Sequence, residues 1–135
     1  MANKIQVDIV TPGSTILSDH YNMVVVRTLD GEIGILSDHL PLISALQEWP
    51  VKLKKDDGQI QYVSVSGGFM EVRDNKVTIL ATAAERPENI DEQRARLAKE
   101  RAELRLSKAN EYDQARANSA LNRAVGRIKT IELAK

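Results

Sequence analysis

Few residues of this chain have the type and spacing that catalysis or metal binding requires. The two histidines, His20 and His39, fall in different predicted loops, and no cluster of His, Asp and Glu has metal-ligand spacing. There is no cysteine, which excludes disulfides, thiolate metal sites and thiol nucleophiles. No serine stands in a G-x-S-x-G turn, and no phosphate-binding glycine loop opens a helix. We therefore expect a protein that is not an enzyme, with neither catalytic residues nor a resident metal.

The most informative residues are arginines in the last third of the chain. When two predicted helices are projected at about 100° per residue, these arginines form two stripes. The first stripe contains Arg94, Arg101 and Arg105, with Asp91 at its edge, and the second contains Arg116, Arg123 and Arg127. Guanidinium groups beside an apolar seam, close to a helix N-terminus, suit a polyanion that has an apolar part. A nucleotide is such a ligand: the arginines would bind its phosphates, and Asp91 would accept a hydrogen bond from a ribose hydroxyl or an exocyclic amine.

The spacing of these residues leaves other interpretations open. Asp91 and Arg94 also have the i,i+3 spacing of an ordinary helix pair, with the other arginines in solvent. The same basic face would equally suit an acidic protein surface. The glycine-rich Ser66-Gly67-Gly68 leads into apolar residues, so we interpret it as a bend at a strand end rather than an anion site.

The C-terminal part of the chain is predicted to be a helical hairpin. Asn89, with Glu92 three residues later, suits the N-cap of a first helix, and Asn110 suits the N-cap of a second. Apolar stripes follow the helical period in both: Ile90, Leu97 and Leu104 in the first, and Ala117, Ala120, Leu121, Ala124, Ile128 and Ile131 in the second. The short connection predicts that the helices pair antiparallel through these stripes. Because many seam residues are alanine, little apolar area is buried, and we expect a hairpin that can detach or extend.

The N-terminal part has the alternation of β-strands. Ile5, Val7 and Ile9 alternate with polar residues, whereas tight turns are marked by Asp30-Gly31, Asp57-Gly58 and Asp74-Asn75. Short strands at this spacing, with no helical stretch between them, indicate an antiparallel sandwich or barrel. The predicted fold is an all-β N-terminal sandwich, residues 1–86, followed by an antiparallel two-helix C-terminal hairpin, residues 87–135.

Charge divides the chain at the same place. The whole chain has 19 lysines and arginines and 19 aspartates and glutamates. Residues 1–85 hold seven of the basic and eleven of the acidic groups, whereas residues 86–135 hold twelve basic and eight acidic groups. Zero net charge, with no aromatic residue within either arginine stripe, disfavours a small adaptor that binds nucleic acid, which is the least favoured alternative. No apolar run is long enough for insertion into a membrane and no signal peptide is present, so we expect a soluble cytoplasmic protein.

Several segments of the chain resemble the epsilon subunit of F-type ATP synthases. They are Gly31-Glu32-Ile33-Gly34-Ile35-Leu36-Ser37-Asp38-His39-Leu40-Pro41-Leu42, Ser66-Gly67-Gly68-Phe69-Met70-Glu71-Val72, Val77-Thr78-Ile79-Leu80-Ala81, and Ala84-Glu85-Arg86 leading into Ile90-Asp91. The resemblance covers essentially the whole chain in order, although Ser37 and Asp38 stand where the family usually has Pro and Gly. It implies a β-sandwich followed by two helices, which agrees with the prediction from the residues themselves.

The resemblance also implies partners in a rotary complex. In that family the sandwich belongs to the central stalk, or rotor, and binds the gamma subunit and the ring of membrane-embedded c subunits. This places the chain at the cytoplasmic face of the bacterial cell membrane, as a peripheral subunit without direct membrane insertion. The family's loop that matches Glu32–His39 faces the ring, so the resemblance implies contacts with the c-ring at Glu32 and His39.

The same resemblance implies that ATP is a regulatory ligand. In some bacterial members the pattern Ile/Leu-Asp-x-x-Arg-Ala binds ATP, and this chain matches every fixed position with Ile90, Asp91, Arg94 and Ala95. Further implied ATP contacts are Arg101, Arg123 and Arg127 on the phosphate side and Glu85 near the base or ribose. Whether Mg²⁺ takes part is left open.

The hairpin is the regulatory part of bacterial family members. Extended along the rotor, it reaches the alpha and beta catalytic subunits, where its basic second helix meets an acidic stretch of beta and blocks ATP hydrolysis. The resemblance implies this inhibitory contact for Arg116, Arg123 and Arg127. Folded down on the sandwich and held there by ATP, the hairpin permits turnover. A purely structural rotor subunit that binds no nucleotide is the main alternative.

Overall fold

The computed structural model of the protein describes residues 4–108 and 113–135. Ten strands come first and two helices follow. The strands are β1 (Ile5–Thr11), β2 (Ser14–Tyr21), β3 (Met23–Thr28), β4 (Gly31–Leu36), β5 (Leu42–Ala45), β6 (Trp49–Lys54), β7 (Ile60–Val65), β8 (Gly68–Arg73), β9 (Lys76–Ala81) and β10 (Ala84–Glu85). A 3-10 turn (Pro87–Asn89) leads into α1 (Glu92–Ser107) and α2 (Gln114–Ala134). The predicted fold class, an all-β sandwich followed by two helices, is confirmed.

The strands form two five-stranded sheets that pack face to face. The first sheet has the order β2-β1-β9-β8-β5, and the second has the order β10-β7-β6-β3-β4. All pairs are antiparallel except β1 with β9, which run parallel. Ile5, Val7 and Ile9 are fully buried between the sheets, as their alternation predicted. The sandwich therefore has one continuous hydrophobic core.

The three predicted turns join consecutive strands. Asp30-Gly31 connects β3 with β4, Asp57-Gly58 lies between β6 and β7, and Asp74-Asn75 connects β8 with β9. Gly31 and Gly58 have φ values of 122° and 83°. In the third turn, the non-glycine residues Asp74 and Asn75 have φ values of 52° and 58°, which aspartate and asparagine tolerate better than other side chains do.

The first helix begins two residues later than the sequence predicted. Asn89 is not its N-cap, because Asn89 ends the 3-10 turn. The N-cap is Asp91, whose carboxylate oxygen Oδ1 accepts a hydrogen bond from the backbone N–H of Arg94 at 3.0 Å. Pro87 starts the 3-10 turn and so delays the α-helix. The predicted N-cap of the second helix, Asn110, lies outside the described residues; α2 begins at Gln114 with Asp113 as its N-cap.

The seam between the two helices is formed by alanines of α1. Ala95 and Ala102 are buried, whereas Leu97 and Leu104 are 50% and 57% exposed. The prediction that Ile90, Leu97 and Leu104 form the seam was therefore wrong. Small side chains let two helices approach closely, and the leucines then remain on the other side of α1. On α2 the predicted stripe is confirmed, since Ala117, Ala124 and Ile128 are buried and Ala120, Leu121 and Ile131 are partly buried.

The hairpin contacts the sandwich through α2, which packs on β6 and β7 of the second sheet, while α1 packs on α2. At Gly126 the helix comes so close that an added Cβ would lie 3.3 Å from the carbonyl oxygen of Glu48. Trp49, the only tryptophan, stacks under the Arg27 guanidinium at 3.7 Å and lines a cavity together with Val125 of α2. In the described ranges, neither helix has the combined length and apolar character that a bilayer span needs.

We predict that Gly68→Ala strongly destabilises the sandwich. Gly68 has a φ of 119°, and an added Cβ would collide with the Leu80 carbonyl and lie 2.9 Å from the Cα atom of Ala81. The backbone conformation alone costs about 1–3 kcal/mol for a residue with a side chain. Urea denaturation should therefore show a loss of at least about 2 kcal/mol in the free energy of unfolding.

Gly13→Ala is the matched control. An added Cβ at Gly13 meets nothing within 4 Å, so its free energy of unfolding should change by less than about 0.5 kcal/mol. Equal losses in the two variants would contradict the steric explanation.

Candidate functional site

A cavity of about 390 Å³ lies where the sandwich meets the hairpin. Its walls come from the end of the sandwich, the 3-10 turn, the first three turns of α1, and α2. The lining residues are Ala83, Glu85, Asn89, Ile90, Asp91, Arg94, Ala95, Ala98, Arg101 and Arg127. Six of the seven residues predicted to bind ATP are among them, and the volume is within the usual range of small-molecule sites.

The charged residues of this junction cavity come from three parts of the fold. Glu85 belongs to β10, where it pairs with Ser64 of β7. Asp91 is fixed by its capping bond at the start of α1. Arg94 and Arg101 are seven residues apart, two helical turns, and so lie on the same side of α1. Arg127 is carried by α2, which makes the cavity a product of three separate segments.

An ion pair crosses the cavity from α2 to the sandwich. Nε of Arg127 donates to Oε1 of Glu85 at 2.6 Å, and the two side chains are only 29% and 32% exposed. A charge-assisted bond in such a half-buried place is stronger than a pair in open solvent. It ties the hairpin to the last strand of the sandwich.

The other two arginines of the cavity have no carboxylate partner within the described ranges. Neither Arg94 nor Arg101 takes part in an ion pair there. Asp91 bonds to the backbone of Arg94, and the two side chains form no ion pair, so the ordinary i,i+3 pair that the spacing allowed does not form. Two unpaired guanidiniums beside a helix N-terminus leave the cavity with an unbalanced positive charge that suits an anion.

The cavity also has an apolar side. Ile90, Ala95 and Ala98 line it next to the polar groups, so a ligand with both a charged and a flat apolar part would find matching surfaces. On the outer side of α1, a groove of about 700 Å³ contains Leu97 and Leu104 and shares Asp91, Arg94 and Arg101 with the junction cavity. The charge of these arginines is therefore available on both sides of α1.

Charge at the start of α1 is also set by Glu92. A hydrogen bond from Arg96, at 3.0 Å, and then the charge of Lys135 lower the pKa of Glu92 below its usual value. Glu92 and Arg96 do not line the cavity, so this pair balances charge on a different side of the helix. Among the described residues, no group of three or more His, Asp and Glu could hold a metal ion.

Two predicted site residues lie outside the cavity. Arg123 is partly buried on α2, about one turn before Arg127, and does not line the cavity wall. Arg116 is exposed in the first turn of α2, where its backbone N–H donates to Asp113. The stripe of Arg116, Arg123 and Arg127 thus extends from the exposed end of the hairpin to the junction.

Glu32 and His39 lie toward opposite ends of strand β4, Glu32 within the strand and His39 beyond it. Glu32 is exposed next to the β3–β4 turn, and His39 is in the loop after Leu36, where its Nδ1 lies 2.6 Å from the carbonyl oxygen of Leu40. The strand from Glu32 to Leu36 alone spans about 13 Å. The two residues are therefore well separated.

An apolar surface that the sequence analysis missed lies on the outer face of the first sheet. Phe69 of β8 is directly opposite Leu80 of β9, with Ile43 of β5 nearby. These side chains are 58%, 57% and 72% exposed. Their outward position could have been recognised, because they alternate with the buried Met70 and Ile79. Exposed apolar clusters of this kind usually mark interaction surfaces.

Comparison with protein families matches both parts of the chain. Residues 4–87 match the model described as ATP synthase, delta/epsilon chain, beta-sandwich domain. Residues 88–132 match the model described as ATP synthase, delta/epsilon chain, long alpha-helix domain.

Curated relatives and solved structures agree with these models. The ATP synthase epsilon chain of Shouchella clausii is 48% identical over 124 residues, 92% of each chain. That of Desulforamulus reducens is 45% identical over 98% of this chain and 100% of its own. A chain in the Euglena gracilis mitochondrial ATP synthase, OSCP/F1/c-ring, has a TM-score of 0.74 and 25% identity over 97% of this chain and 81% of its own. With the sandwich and the helices both matched, this chain belongs to the family of ATP synthase epsilon chains.

Proposed function

We propose that this chain is a rotor subunit whose helical hairpin regulates ATP hydrolysis and is held folded down by ATP in the junction cavity. An epsilon chain is a subunit of the ATP synthase complex and not itself its catalytic subunit. The observation that carries the proposal is the convergence of Arg94, Arg101 and Arg127 with Asp91 and Glu85 on one cavity. The proposed position of the assembled subunit is the cytoplasmic face of the bacterial cell membrane.

The chemistry of the cavity suits a nucleotide. The arginines can donate to phosphate oxygens in the fork geometry that guanidinium groups favour, and the N-terminus of α1 adds its partial positive charge. Ile90 and the alanines suit the base, while Asp91 and Glu85 are acceptors for ribose hydroxyls or an exocyclic amine. Binding would require Arg127 to share or exchange its bond with Glu85. Arg123 would join only after a rearrangement of its side chain.

Such a ligand would favour the folded-down hairpin because its contacts come from three segments. A detached hairpin separates Glu85 from α1 and α2 and so removes the cavity. Binding to the folded-down form alone stabilises it by RT ln(1 + [ATP]/Kd), about 2.7 kcal/mol at a hundredfold excess of free ATP over Kd. The two helices meet through small residues, and α2 makes the principal contact with the sandwich. We propose that this attachment is weak enough for the free energy of ATP binding to decide between the docked and the detached hairpin.

The released hairpin would use the same basic residues on a second anionic target. Arg116, Arg123 and Arg127 would meet an acidic surface of the beta subunit and block hydrolysis there. The exposed Leu97 and Leu104 would be covered in the extended form, which gives a reason for their exposure in the folded-down one.

The sandwich supplies the proposed rotor contacts. The outer face with Ile43, Phe69 and Leu80 suits the gamma subunit, because its apolar side chains are exposed on a rigid sheet. Glu32 and His39 are the proposed contacts with the c-ring. Since they are separate points, they would touch different parts of that ring.

A structural subunit without nucleotide binding is the second candidate. The observation in its favour is that Arg127 already has Glu85 as a partner and that Asp91 already caps α1. Only Arg94 and Arg101 then require another explanation. Direct titration with nucleotide separates the two candidates.

We predict saturable one-to-one binding of ATP to the isolated chain, which Arg94→Gln and Arg101→Gln each weaken about tenfold or more. That factor corresponds to the loss of one hydrogen bond to a charged group. Isothermal titration calorimetry with ATP, ADP and GTP, with and without Mg²⁺, measures it. The double variant Asp91→Ala with Arg94→Ala should lose binding without unfolding.

Arg96→Gln is the matched control for these variants. It removes the same charge from the same helix, but Arg96 pairs with Glu92 and does not line the cavity. Its ATP affinity should stay within about twofold of the parent, because exposed charges contribute little. Absence of binding at millimolar ATP, or equal losses in the Arg94 and Arg96 variants, would favour the structural candidate.

Glu85→Gln is predicted to loosen the hairpin from the sandwich. The variant leaves the half-buried Arg127 without its charged partner, at a cost on the order of 1 kcal/mol. The fluorescence of Trp49 measures this loosening, because Trp49 lies at the contact with α2. Its emission maximum should move to longer wavelength in the variant. Glu92→Gln is the control, because its exposed pairs with Arg96 and Lys135 lie within the hairpin and do not reach the sandwich, and it should leave the emission unchanged.

We predict that Glu32→Lys and His39→Ala each lower the ratio of ATP-driven proton pumping to ATP hydrolysis in reconstituted membranes, because both residues are proposed contacts with the c-ring. Reversing a contact charge should have the larger effect, because like charges across an interface repel. Because the two residues are separate points, their effects should be independent. Normal coupling in both variants would argue against the ring contact.

A further inference from the structure

The turn between β8 and β9 contains two residues with positive φ that behave differently. Asp74, at 52°, points into solvent with a side chain that is 90% exposed. Asn75, at 58°, turns its side chain toward the protein and bonds to two distant parts of the chain. The conformation of the turn itself therefore does not require the contacts that Asn75 makes.

The Asn75 side chain uses both ends of its amide group. Its Oδ1 accepts from the backbone N–H of Asp38 at 2.9 Å and from the hydroxyl of Ser37 at 3.3 Å. Its Nδ2 donates to the carbonyl oxygen of Lys4 at 2.9 Å. One side chain thus joins the β8–β9 turn to the β4–β5 loop and to the start of β1.

The loop that Asn75 contacts contains a strained residue. Asp38 has a φ of 63°, which is unfavourable for a residue with a side chain, and the backbone N–H of the next residue, His39, donates to the Leu36 carbonyl at 3.3 Å. Such a conformation persists only where surrounding contacts hold it. The bond from Asp38 to Asn75 is the contact from outside the loop that holds this backbone.

We propose that Asn75 is a positioning residue that fixes residues 36–41 and so sets how His39 and the 78% exposed Leu40 are presented to a rotor partner. Only the identity of that partner rests on the proposed function. Asparagine is suited to the position because it tolerates positive φ and supplies both an acceptor and a donor. Glycine would keep the turn but lose the bonds, and aspartate would keep the acceptor but lose the donor.

The test compares three variants of the full chain by amide hydrogen exchange, followed by NMR. In Asn75→Gly the Asp38 amide should exchange about five- to tenfold faster, the factor expected for loss of one hydrogen bond of ordinary net strength. In Asn75→Asp that amide should keep nearly its original rate, because the acceptor remains. Asp74→Gly, the matched change one residue earlier, should leave it unchanged. The core amide of Ile79 should not change in any of them, which separates a local effect from general destabilisation.

The second measurement is the ratio of proton pumping to ATP hydrolysis in membranes reconstituted with ATP synthase. Asn75→Gly should lower proton pumping relative to hydrolysis by about the same factor as His39→Ala, with Asn75→Asp restoring it. An unchanged Asp38 exchange rate in Asn75→Gly, or an equally fast rate in Asn75→Asp, would overturn the positioning role. Faster exchange with normal coupling would support the positioning role and instead overturn the proposed partner contact at this loop.

Discussion

The docking of α2 onto the second sheet holds the C-terminal hairpin and the junction cavity in place. Helix α1 packs on α2, so the hairpin relies mainly on α2 for its attachment to the sandwich. At the centre of this contact, Gly126 lets the helix approach the backbone of Glu48 within van der Waals distance. The seam between the helices is made of alanines, which bury little area each. The hairpin is therefore attached to the sandwich mainly through one helix, which is the arrangement that the proposed detachment requires.

The junction cavity exists because of that docking. Glu85 belongs to the sandwich, Arg94 and Arg101 to α1, and Arg127 to α2, so no single segment contains a complete binding site. The ion pair between Arg127 and Glu85 both stabilises the docked hairpin and occupies two of the groups that a nucleotide would use. In the proposed function, ligand binding and hairpin position would be linked thermodynamically, because a ligand that needs all three segments can bind only when they are together.

The sandwich has the opposite physical character. Its core side chains are fully buried between two five-stranded sheets, and its turns are fixed by residues with positive φ. Exposed apolar residues lie on the outer face of the first sheet, and the loop that Asn75 bonds connects β4 of the second sheet with β5 of the first. The chain thus combines a rigid sandwich, to which we assign the partner contacts, with a docked hairpin, to which we assign the proposed regulation.

Features that depend on neighbours along the chain could be predicted from the residues alone. Alternation of apolar and polar residues predicted strands, Asp-Gly and Asp-Asn dipeptides predicted the turns, and the helical period predicted the hairpin. Each of these patterns reflects local backbone geometry. That Ala95 and Ala102 face α2, and not Leu97 and Leu104, became clear only from the packed fold, since helix packing depends on how closely two backbones can approach. It alone joined Glu85 to Arg127 and Asn75 to Asp38, pairs 42 and 37 residues apart, because contacts at such separations follow from how whole elements pack and not from any local pattern.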